Sequence, residues 1–140
     1  MGVNVLYQLA EQAAKVLGGA YDIEIVETHH AGKMDAPSGT AKRLADVLAR
    51  ALRQNLNRVA VYGRHGKQSR RGHQEIGIHA VRAGDVVGDH QVIFATAGER
   101  IELIHRASSR DTFAYGALRA ARFVARHRPG LYDMRDVLGL

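Results

Sequence analysis

The 140-residue sequence contains no cysteine. This absence excludes disulfide bonds, a thiolate nucleophile and every zinc or iron-sulfur site that needs a thiolate ligand, and it is compatible with a reducing compartment. Long apolar runs are missing as well, since no stretch approaches the roughly 20 residues that a membrane-spanning helix needs. The N-terminal apolar run is interrupted by polar residues and has no basic segment before it, unlike a signal peptide. We therefore expect a soluble, cytoplasmic protein.

Motifs of several common enzyme classes are also lacking. The sequence has no serine nucleophile elbow, no P-loop and no G-x-G-x-x-G dinucleotide fingerprint. Acidic residues are the minority charge, with 14 Asp and Glu against 20 Lys and Arg and a formal net charge of +6. A basic chain favours anionic partners, and nucleic acid, a nucleotide cofactor and a small dicarboxylate all meet that description.

The most basic stretch is GRHGKQSRRG, residues 63–72. It has no interleaved aromatic residues and no recognisable nucleic-acid motif. We expect a mobile loop whose charges are solvated, and no nucleic-acid partner.

The residues that are present fit one globular domain, with 46% hydrophobic and 24% charged residues. Apolar residues recur at helical spacing or with period two along most of the chain. The predicted helices start near residue 5 and end at 17, and span 38–54 and 111–126, with a short helical turn in the last ten residues. The predicted strands are 22–28, 59–62, 75–81, 86–96 and 100–107. This succession predicts an α+β fold: an open mixed sheet of four to five strands with helices on one face.

Each predicted helix has an apolar stripe that we expect to face inward. The stripes are Leu6, Leu9, Ala13, Val16 and Leu17; Ala41, Leu44, Ala45, Leu48, Ala51 and Leu52; and Phe113, Ala117, Ala120, Ala121 and Val124. Strands such as VIFAT and IELIH carry apolar residues on both faces, so helices on one side would leave apolar area exposed. A partner subunit is the simplest cover, and we expect the other sheet face to be used for oligomerisation.

The segment ETHHAGKMDAPSGTA, residues 27–41, crowds proton carriers into one loop between a predicted strand and a predicted helix. Imidazole exchanges a proton near neutral pH, so His29 and His30 are candidate acids. Lys33 adds a fixed positive charge and a second proton source. The loop can therefore both protonate and anchor a ligand.

The same segment ends in a helix start. Ser38 is a good N-cap, which leaves the N–H groups of Gly39 and Thr40 in the first turn without intrahelical partners. With the positive end of the helix dipole behind them, these groups favour a carboxylate or phosphate. Together with the loop, they predict a pocket for a small ligand with two negative groups.

A structural role is open for each feature taken alone. A histidine pair at a strand end can be a solvated, hydrogen-bonded feature, and Lys33 can be a surface lysine. Asp35 can orient Lys33 or cap the turn. Pro-Ser-Gly-Thr before an apolar periodic run is also an ordinary helix start.

The other histidines give weaker signals. Three lie on strand patterns, where an interior or interface histidine is commoner than a metal ligand: His79, His90 and His105. A zinc site built from Glu27, His29 and His30 would lack the spacing of known zinc motifs. We expect no bound metal.

The loop resembles the signature loop of the dihydrodipicolinate reductase family. The similarity continues through VYGR, EIGIHAVRAGDVVGDH, GERIELIHRASSRDTFAYGALRAA and PGLYDMRDVLGL, so it extends over nearly the whole chain. The resemblance implies a homotetrameric enzyme of the diaminopimelate route to lysine. Its N-terminal Rossmann-type domain would bind NADH or NADPH, and its C-terminal domain would supply the substrate site and the tetramer contact.

Residues 1–140 resemble the second of these domains alone. We therefore expect a substrate-binding and oligomerisation domain that lacks the Rossmann domain, binds no cofactor and has no reductase activity by itself. The alternative is a non-catalytic binding or assembly module that retains the tetramer-forming fold.

The resemblance also implies roles for the loop residues. His29 would be the general acid and Lys33 a second proton donor. Contacts to a small dicarboxylate substrate would come from His30, Ser38, Gly39 and Thr40. The family reaction delivers a hydride to a conjugated cyclic imine and leaves an electron-rich enamine that must be protonated, and a cationic, proton-bearing pocket lowers the barrier to that step.

Overall fold

A five-stranded mixed sheet organises the chain, all 140 residues of which are described by a computed structural model. The strands are β1 (Asp22–His29), β2 (Ala60–Tyr62), β3 (Ile76–Arg82), β4 (Gly88–Thr96) and β5 (Glu99–Ala107). Their order in the sheet is β2-β3-β1-β4-β5. The three strands β2, β3 and β1 run parallel, whereas β4 is antiparallel to β1 and β5 is antiparallel to β4. The predicted α+β fold with an open mixed sheet is confirmed.

The helices are α1 (Gly2–Leu17), α2 (Gly39–Ala51), α3 (Leu56–Val59), α4 (Asp111–Val124) and α5 (Met134–Leu138). The elements expected from the sequence are present with ends shifted by up to three residues, whereas α3 was not expected. The helical turn predicted for the tail is α5, which begins with a capping box formed by Asp133 and Asp136. No helix combines the length and the apolar character that crossing a bilayer requires.

The core lies between one face of the sheet and the helices α1 and α2. Alternate residues of the three central strands point into it, namely Ile23, Ile25, Ile76, Ile78, Val92 and Phe94. The predicted α2 stripe packs against them, with its first four members fully buried. In α1 the buried line is Leu6, Ala10 and Ala14, whereas the expected Leu9 and Val16 are exposed. The small side chains of Ala10 and Ala14 let α1 approach α2 closely. These alanines therefore face inward, whereas the larger Leu9 and Val16 do not.

The inward face predicted for α4 was wrong. Phe113, Ala117, Ala121 and Val124 are exposed and Ala120 is half-buried, while Gly116 is the one buried residue of this helix. The helix follows β5, which is an edge strand, and it contacts α5 more than the sheet. Its apolar stripe therefore has no cover within this chain.

The sheet face opposite the helices carries a group of ion pairs, here termed the Glu24 cluster: Glu24, Arg64, Arg71 and His79. The two Glu24 carboxylate oxygens accept hydrogen bonds from Arg64 Nη1 and Arg71 Nη1, each at 2.8 Å, and His79 Nε2 lies 2.6 Å from Oε2. These contacts hold the basic loop against the sheet. The prediction that this loop is a solvated charge run was therefore wrong for Arg64 and Arg71, whereas Lys67 and Arg70 are exposed.

Gly77 provides the space for this cluster, because it lies directly beside Glu24 in the β1–β3 register. A Cβ atom on residue 77 would stand 1.8 Å from Glu24 Oε2 and 2.5 Å from its carboxyl carbon. Such distances are far inside van der Waals contact, so a larger residue must displace the carboxylate from both arginines.

We predict that Gly77→Ala lowers the free energy of unfolding by about 1–3 kcal/mol, the usual range for overpacking. Urea unfolding monitored by circular dichroism measures this change. Gly19→Ala is the matched control, since nothing lies within 4 Å of a Cβ at that position. In a Glu24→Ala background the Gly77→Ala cost should shrink, and an undiminished cost there would show that the carboxylate is not what residue 77 must avoid.

Candidate functional site

A buried carboxylate lies at the end of β1, where the strand enters the loop of residues 30–38, here termed the histidine loop. Glu27 continues the inward phase of Ile23 and Ile25, and it has 0% solvent exposure. It forms what is here termed the Glu27 cluster: Glu27, His29, Ser38 and Arg82. Its Oε1 accepts from the Ser38 N–H at 3.1 Å, and Arg82 donates Nη1 to Oε2 at 3.0 Å and Nη2 to Oε1 at 3.1 Å. A buried charge needs such partners, and here both carboxylate oxygens are used.

His29 is the third partner of this carboxylate. Its Nδ1 lies 2.5 Å from Glu27 Oε2, and its side chain is 12% exposed. Burial raises the pKa of Glu27, but the hydrogen bonds from Arg82, His29 and the Ser38 N–H more than offset this effect and leave the pKa below its ordinary value. Glu27 is therefore an anion at neutral pH and accepts a hydrogen bond from the Nδ1–H of the imidazole.

The helix start has the geometry expected from the sequence. Ser38 is the N-cap of α2, and its Oγ accepts from the Ala41 N–H at 3.2 Å. The N–H groups of Gly39 and Thr40 have no acceptor in the chain. These two groups can bind an anion, because they point out of the helix at the positive end of its dipole.

Lys33 lies in the loop between these two features. Its Nζ donates to Asp35 Oδ1 at 2.6 Å, and this bond lowers the pKa of the Asp35 carboxyl. The loop backbone is tied to the Glu27 cluster, since Arg82 donates Nε to the Lys33 carbonyl at 3.3 Å and Nη2 to the Asp35 carbonyl at 2.7 Å. The proposal that Asp35 orients Lys33 agrees with this geometry.

The site residues predicted from the sequence differ in how they are connected to the Glu27 carboxylate. His29 and Ser38 share the Glu27 carboxylate, Lys33 is linked to it through Arg82, and Gly39 and Thr40 follow Ser38 directly. The His30 ring makes no hydrogen bond in the chain and lies near Gly32, 3.5 Å from where a Cβ would stand. A groove of about 520 Å³ adjoins the helix start at Thr40 and is also lined by Asn4, Tyr7, His105 and Phe113.

Two further imidazoles extend the row of polar groups across the sheet. His90 is the register partner of Glu27 on β4, and His105 is the register partner of His90 on β5. His90 Nε2 lies 3.0 Å from Ser38 Oγ, and its ring meets that of His29 edge-on at a centroid distance of 5.2 Å. Burial, reinforced by the neighbouring positive groups, lowers the pKa of His90 to about 4. His90 is therefore neutral at physiological pH and adds no positive charge to the site.

The sequence predicted interior or interface positions for His90 and His105; His90 is buried, with 5% exposure, whereas His105 is half-buried and lines the groove. The sequence did not indicate that each keeps a buried Nδ1 without a hydrogen-bond partner. No three His, Asp or Glu side chains are placed to hold a metal ion, so the zinc alternative built on Glu27, His29 and His30 has no geometric support.

The connecting role of Glu27 and the participation of Arg82 were not predicted from the sequence. One signal for Glu27 was available, since it occupies the inward phase that Ile23 and Ile25 define, where an acid requires a partner. Arg82 could not be found in this way, because its position opposite His29 depends on the pairing of β1 with β3.

Comparison with known proteins identifies the family to which the chain belongs. The sequence model described as "Dihydrodipicolinate reductase, C-terminus" matches residues 2–138. The chain belongs to the dihydrodipicolinate reductase family. The chain is 59% identical over 139 residues to the 4-hydroxy-tetrahydrodipicolinate reductase of Magnetococcus marinus, and 59% identical over 140 residues to that of Thiobacillus denitrificans.

These two alignments include 99% and 100% of the chain but 52% of each relative. The chain thus spans about half the length of the curated reductases that it matches. A solved structure, described as dipicolinate-bound dihydrodipicolinate reductase from Paenisporosarcina sp. TG-14, superposes with a TM-score of 0.71 at 25% identity. That superposition covers 96% of this chain and 50% of the other. The fold and the family therefore agree with the resemblance noted in the sequence.

The low pKa of His90 predicts a pH-dependent stability. In the unfolded chain this histidine titrates near its ordinary value of 6.5, but in the folded chain it titrates near 4. Between these values the unfolded chain binds a proton that the folded chain does not, so stability falls as the pH falls through this window. The stabilisation present at pH 7 and lost by pH 4 is about 3 kcal/mol.

Urea unfolding of the wild-type chain and of His90→Gln at several pH values measures this effect. The glutamine variant should show a flatter decline between pH 6.5 and 4. His73→Gln, a substitution at an exposed histidine, should keep the wild-type slope. Parallel declines for wild type and His90→Gln would contradict the assignment.

Proposed function

We propose that this chain is the substrate-binding and oligomerisation domain of a 4-hydroxy-tetrahydrodipicolinate reductase, which reduces a cyclic dicarboxylate in the diaminopimelate route to lysine. The observation that carries the proposal is the Glu27 cluster, since one buried carboxylate fixes both an imidazole and an anion-binding helix start. The family match and the dicarboxylate named for the Paenisporosarcina structure support the same conclusion.

We assign the substrate contacts to the groups that can hold a dicarboxylate. One carboxylate would accept hydrogen bonds from the N–H groups of Gly39 and Thr40 at the start of α2, beside the Ser38 hydroxyl. Lys33 would give up its hydrogen bond to Asp35 and bind the second carboxylate of the ligand, so that its ammonium group exchanges one carboxylate partner for another. His30 would complete the pocket, because its ring is free to turn towards a ligand.

His29 would supply the proton that the reaction consumes. After hydride addition the substrate is an electron-rich enamine, and a nearby imidazolium can protonate its carbon. The Glu27 carboxylate holds the His29 imidazole in place through Nδ1, and Lys33 would be a second proton donor. This assignment of acid and substrate contacts is the one expected from the sequence.

The hydride donor would be NADH or NADPH, but the residues of this chain do not fit a dinucleotide site. The chain lacks the glycine-rich fingerprint, and in the helical crossover from β1 to β2 the segment before α2 is the histidine loop instead. We propose that a Rossmann-type domain in the other half of the relatives' length holds the cofactor. The cytoplasmic location expected from the sequence stays a prediction.

A tetramer built through the open sheet face is a further part of the proposal. Alternate residues of the central and edge strands place Val26, Val81, Ile93 and Ile104 on the face away from α1 and α2. Val81 and Ile104 are 42% and 44% exposed in the single chain. Apolar residues on a sheet face without helices favour burial against another copy.

We predict that Lys33→Ala weakens the binding of dipicolinate, pyridine-2,6-dicarboxylate, by about 10- to 100-fold, as expected for the loss of a hydrogen bond between charged groups. Isothermal titration calorimetry of the 140-residue chain measures the change, and His30→Ala should weaken binding in the same direction. Lys67→Ala and His73→Ala are the matched controls, because both residues are exposed and lie outside the loop.

Undiminished binding by Lys33→Ala and His30→Ala would remove these residues from the site. A wild-type chain that assembles but does not bind dipicolinate would favour the alternative of a non-catalytic assembly module.

Sedimentation should show a species of about four times the chain mass of 15.3 kDa. We predict that Ile104→Glu shifts this species to smaller ones, because a charge in an apolar subunit contact is costly. Ile101→Glu is the matched control: Ile101 lies on the same strand with 42% exposure but is the register partner of Phe94 on the helix side. A monomeric wild-type chain, or equal dissociation by both variants, would contradict an interface on the open face.

A further inference from the structure

We propose that Glu27 is a positioning residue that selects the nitrogen from which His29 gives its proton: Nδ1–H stays bonded to the Glu27 carboxylate, and Nε2 is the atom that protonates the substrate. This inference deepens the proposed function and rests on it for the identity of the substrate. The position and proton state of the imidazole rest on the geometry of the chain alone.

The direction of the hydrogen bond follows from the charges. A carboxylate has no proton to donate, so the 2.5 Å contact with His29 Nδ1 requires the proton to lie on the imidazole nitrogen. Arg82 and the Ser38 N–H occupy the remaining acceptor positions of Glu27 with donors only. Because these three partners keep Glu27 ionised, the bond from Nδ1–H is kept, and Nε2 is the nitrogen that can give or take a proton.

Gly88 lies beside Nε2 of the His29 ring. A Cβ atom on residue 88 would stand 3.0 Å from His29 Nε2 and 3.4 Å from the adjacent Cδ2. Glycine at the first position of β4 thus leaves the space beside Nε2 without a side chain from residue 88, while Glu27 holds the other nitrogen. The ring is held at Nδ1, and Nε2 makes no hydrogen bond within the chain.

The same carboxylate also places the second half of the site. The Ser38 N–H bonds to Oε1, and His29 bonds to Oε2, so the two oxygens of one group fix the spacing between the acid and the anion-binding helix start. Arg82 bridges both oxygens and holds the Lys33 and Asp35 carbonyls of the intervening loop. A shortened acid at position 27 cannot reach all of these partners from the backbone of β1.

The test uses Glu27→Asp, which keeps the negative charge that Arg82 needs but withdraws the carboxylate by one methylene. Long-range ¹H–¹⁵N correlation spectra of the ligand-free chain, labelled with ¹⁵N-histidine, report which imidazole nitrogen carries the proton. We expect neutral His29 of the wild-type chain to be the Nδ1–H tautomer. In Glu27→Asp we expect His29 to shift towards the Nε2–H tautomer, which imidazole prefers in water.

Glu24→Asp is the matched control, because Glu24 lies on the same strand, on the opposite face, and holds His79 and two arginines in a comparable way. It should alter the His79 signals and leave those of His29 unchanged, whereas Glu27→Asp should do the reverse. A general loss of packing would not make each variant change the signals of its own histidine and leave those of the other histidine unchanged.

If Glu27→Asp does not fold, Gly88→Ala tests the same assignment while leaving Glu27 and Arg82 intact. Its added methyl group should displace the ring and weaken the Nδ1 bond, with the same change of tautomer. An Nε2–H tautomer of His29 in the wild-type chain, or an unchanged tautomer in the variant that folds, would overturn the proposal.

Failure of the proposed function gives a different result. A chain that shows the Nδ1–H tautomer but does not bind dipicolinate would keep the positioning role of Glu27 and remove the substrate assignment. A chain that binds dipicolinate with His29 as the Nε2–H tautomer would keep the function and remove the positioning role.

Discussion

One buried negative charge constrains the candidate site. Glu27 has no contact with solvent, and an ionised carboxylate in such a place is stable only when donors surround it. The donors come from three separate parts of the chain: His29 from the same strand, the Ser38 N–H from the start of α2, and Arg82 from the end of β3. Satisfying this one group therefore fixes both ends of the histidine loop and ties its middle to the sheet. The positions of the proton carriers follow from an electrostatic requirement at a residue that need not touch the ligand.

Those parts of the site that depend on neighbours in the chain could be predicted from the sequence. Ser38 as an N-cap, the free N–H groups after it, and the Lys33–Asp35 pair are local features, and each has the expected geometry. The Glu27 cluster depends instead on strand pairing, which places Arg82 opposite His29 and His90 opposite Glu27. Hydrophobic periodicity predicts that a strand exists but not which strand lies beside it. The residue types of the site were therefore predictable, and the bonds among them were not.

The same limit explains the outcome for the helices. The α2 stripe was placed correctly because α2 packs directly on the sheet, against β1 and β3. For α4 an equally clear stripe gave a wrong expectation, since this helix leaves the sheet at the edge strand β5 and its apolar residues stay exposed. Amphipathicity shows which face of a helix can be buried, but it does not show which part of the protein packs against that face. For a chain that spans about half the length of its relatives, an uncovered stripe is not in conflict with membership of the family.

The two acids of β1 show how one strand can support two different tasks. Glu24 and Glu27 each hold a histidine and at least one arginine, but they lie three positions apart on the strand, so they face opposite sides of the sheet. The side chain of Glu24 is 20% exposed and that of Glu27 is 0% exposed. Water can partly replace the arginines of Glu24, but it cannot reach Glu27 beneath α2, so the geometry is more tightly specified on the side of the candidate site. A one-residue shift of β1 would bury Glu24 among apolar residues and turn Ile23 and Ile25 outward. The register that places His29 beside Ser38 is therefore the one that the rest of the strand also requires.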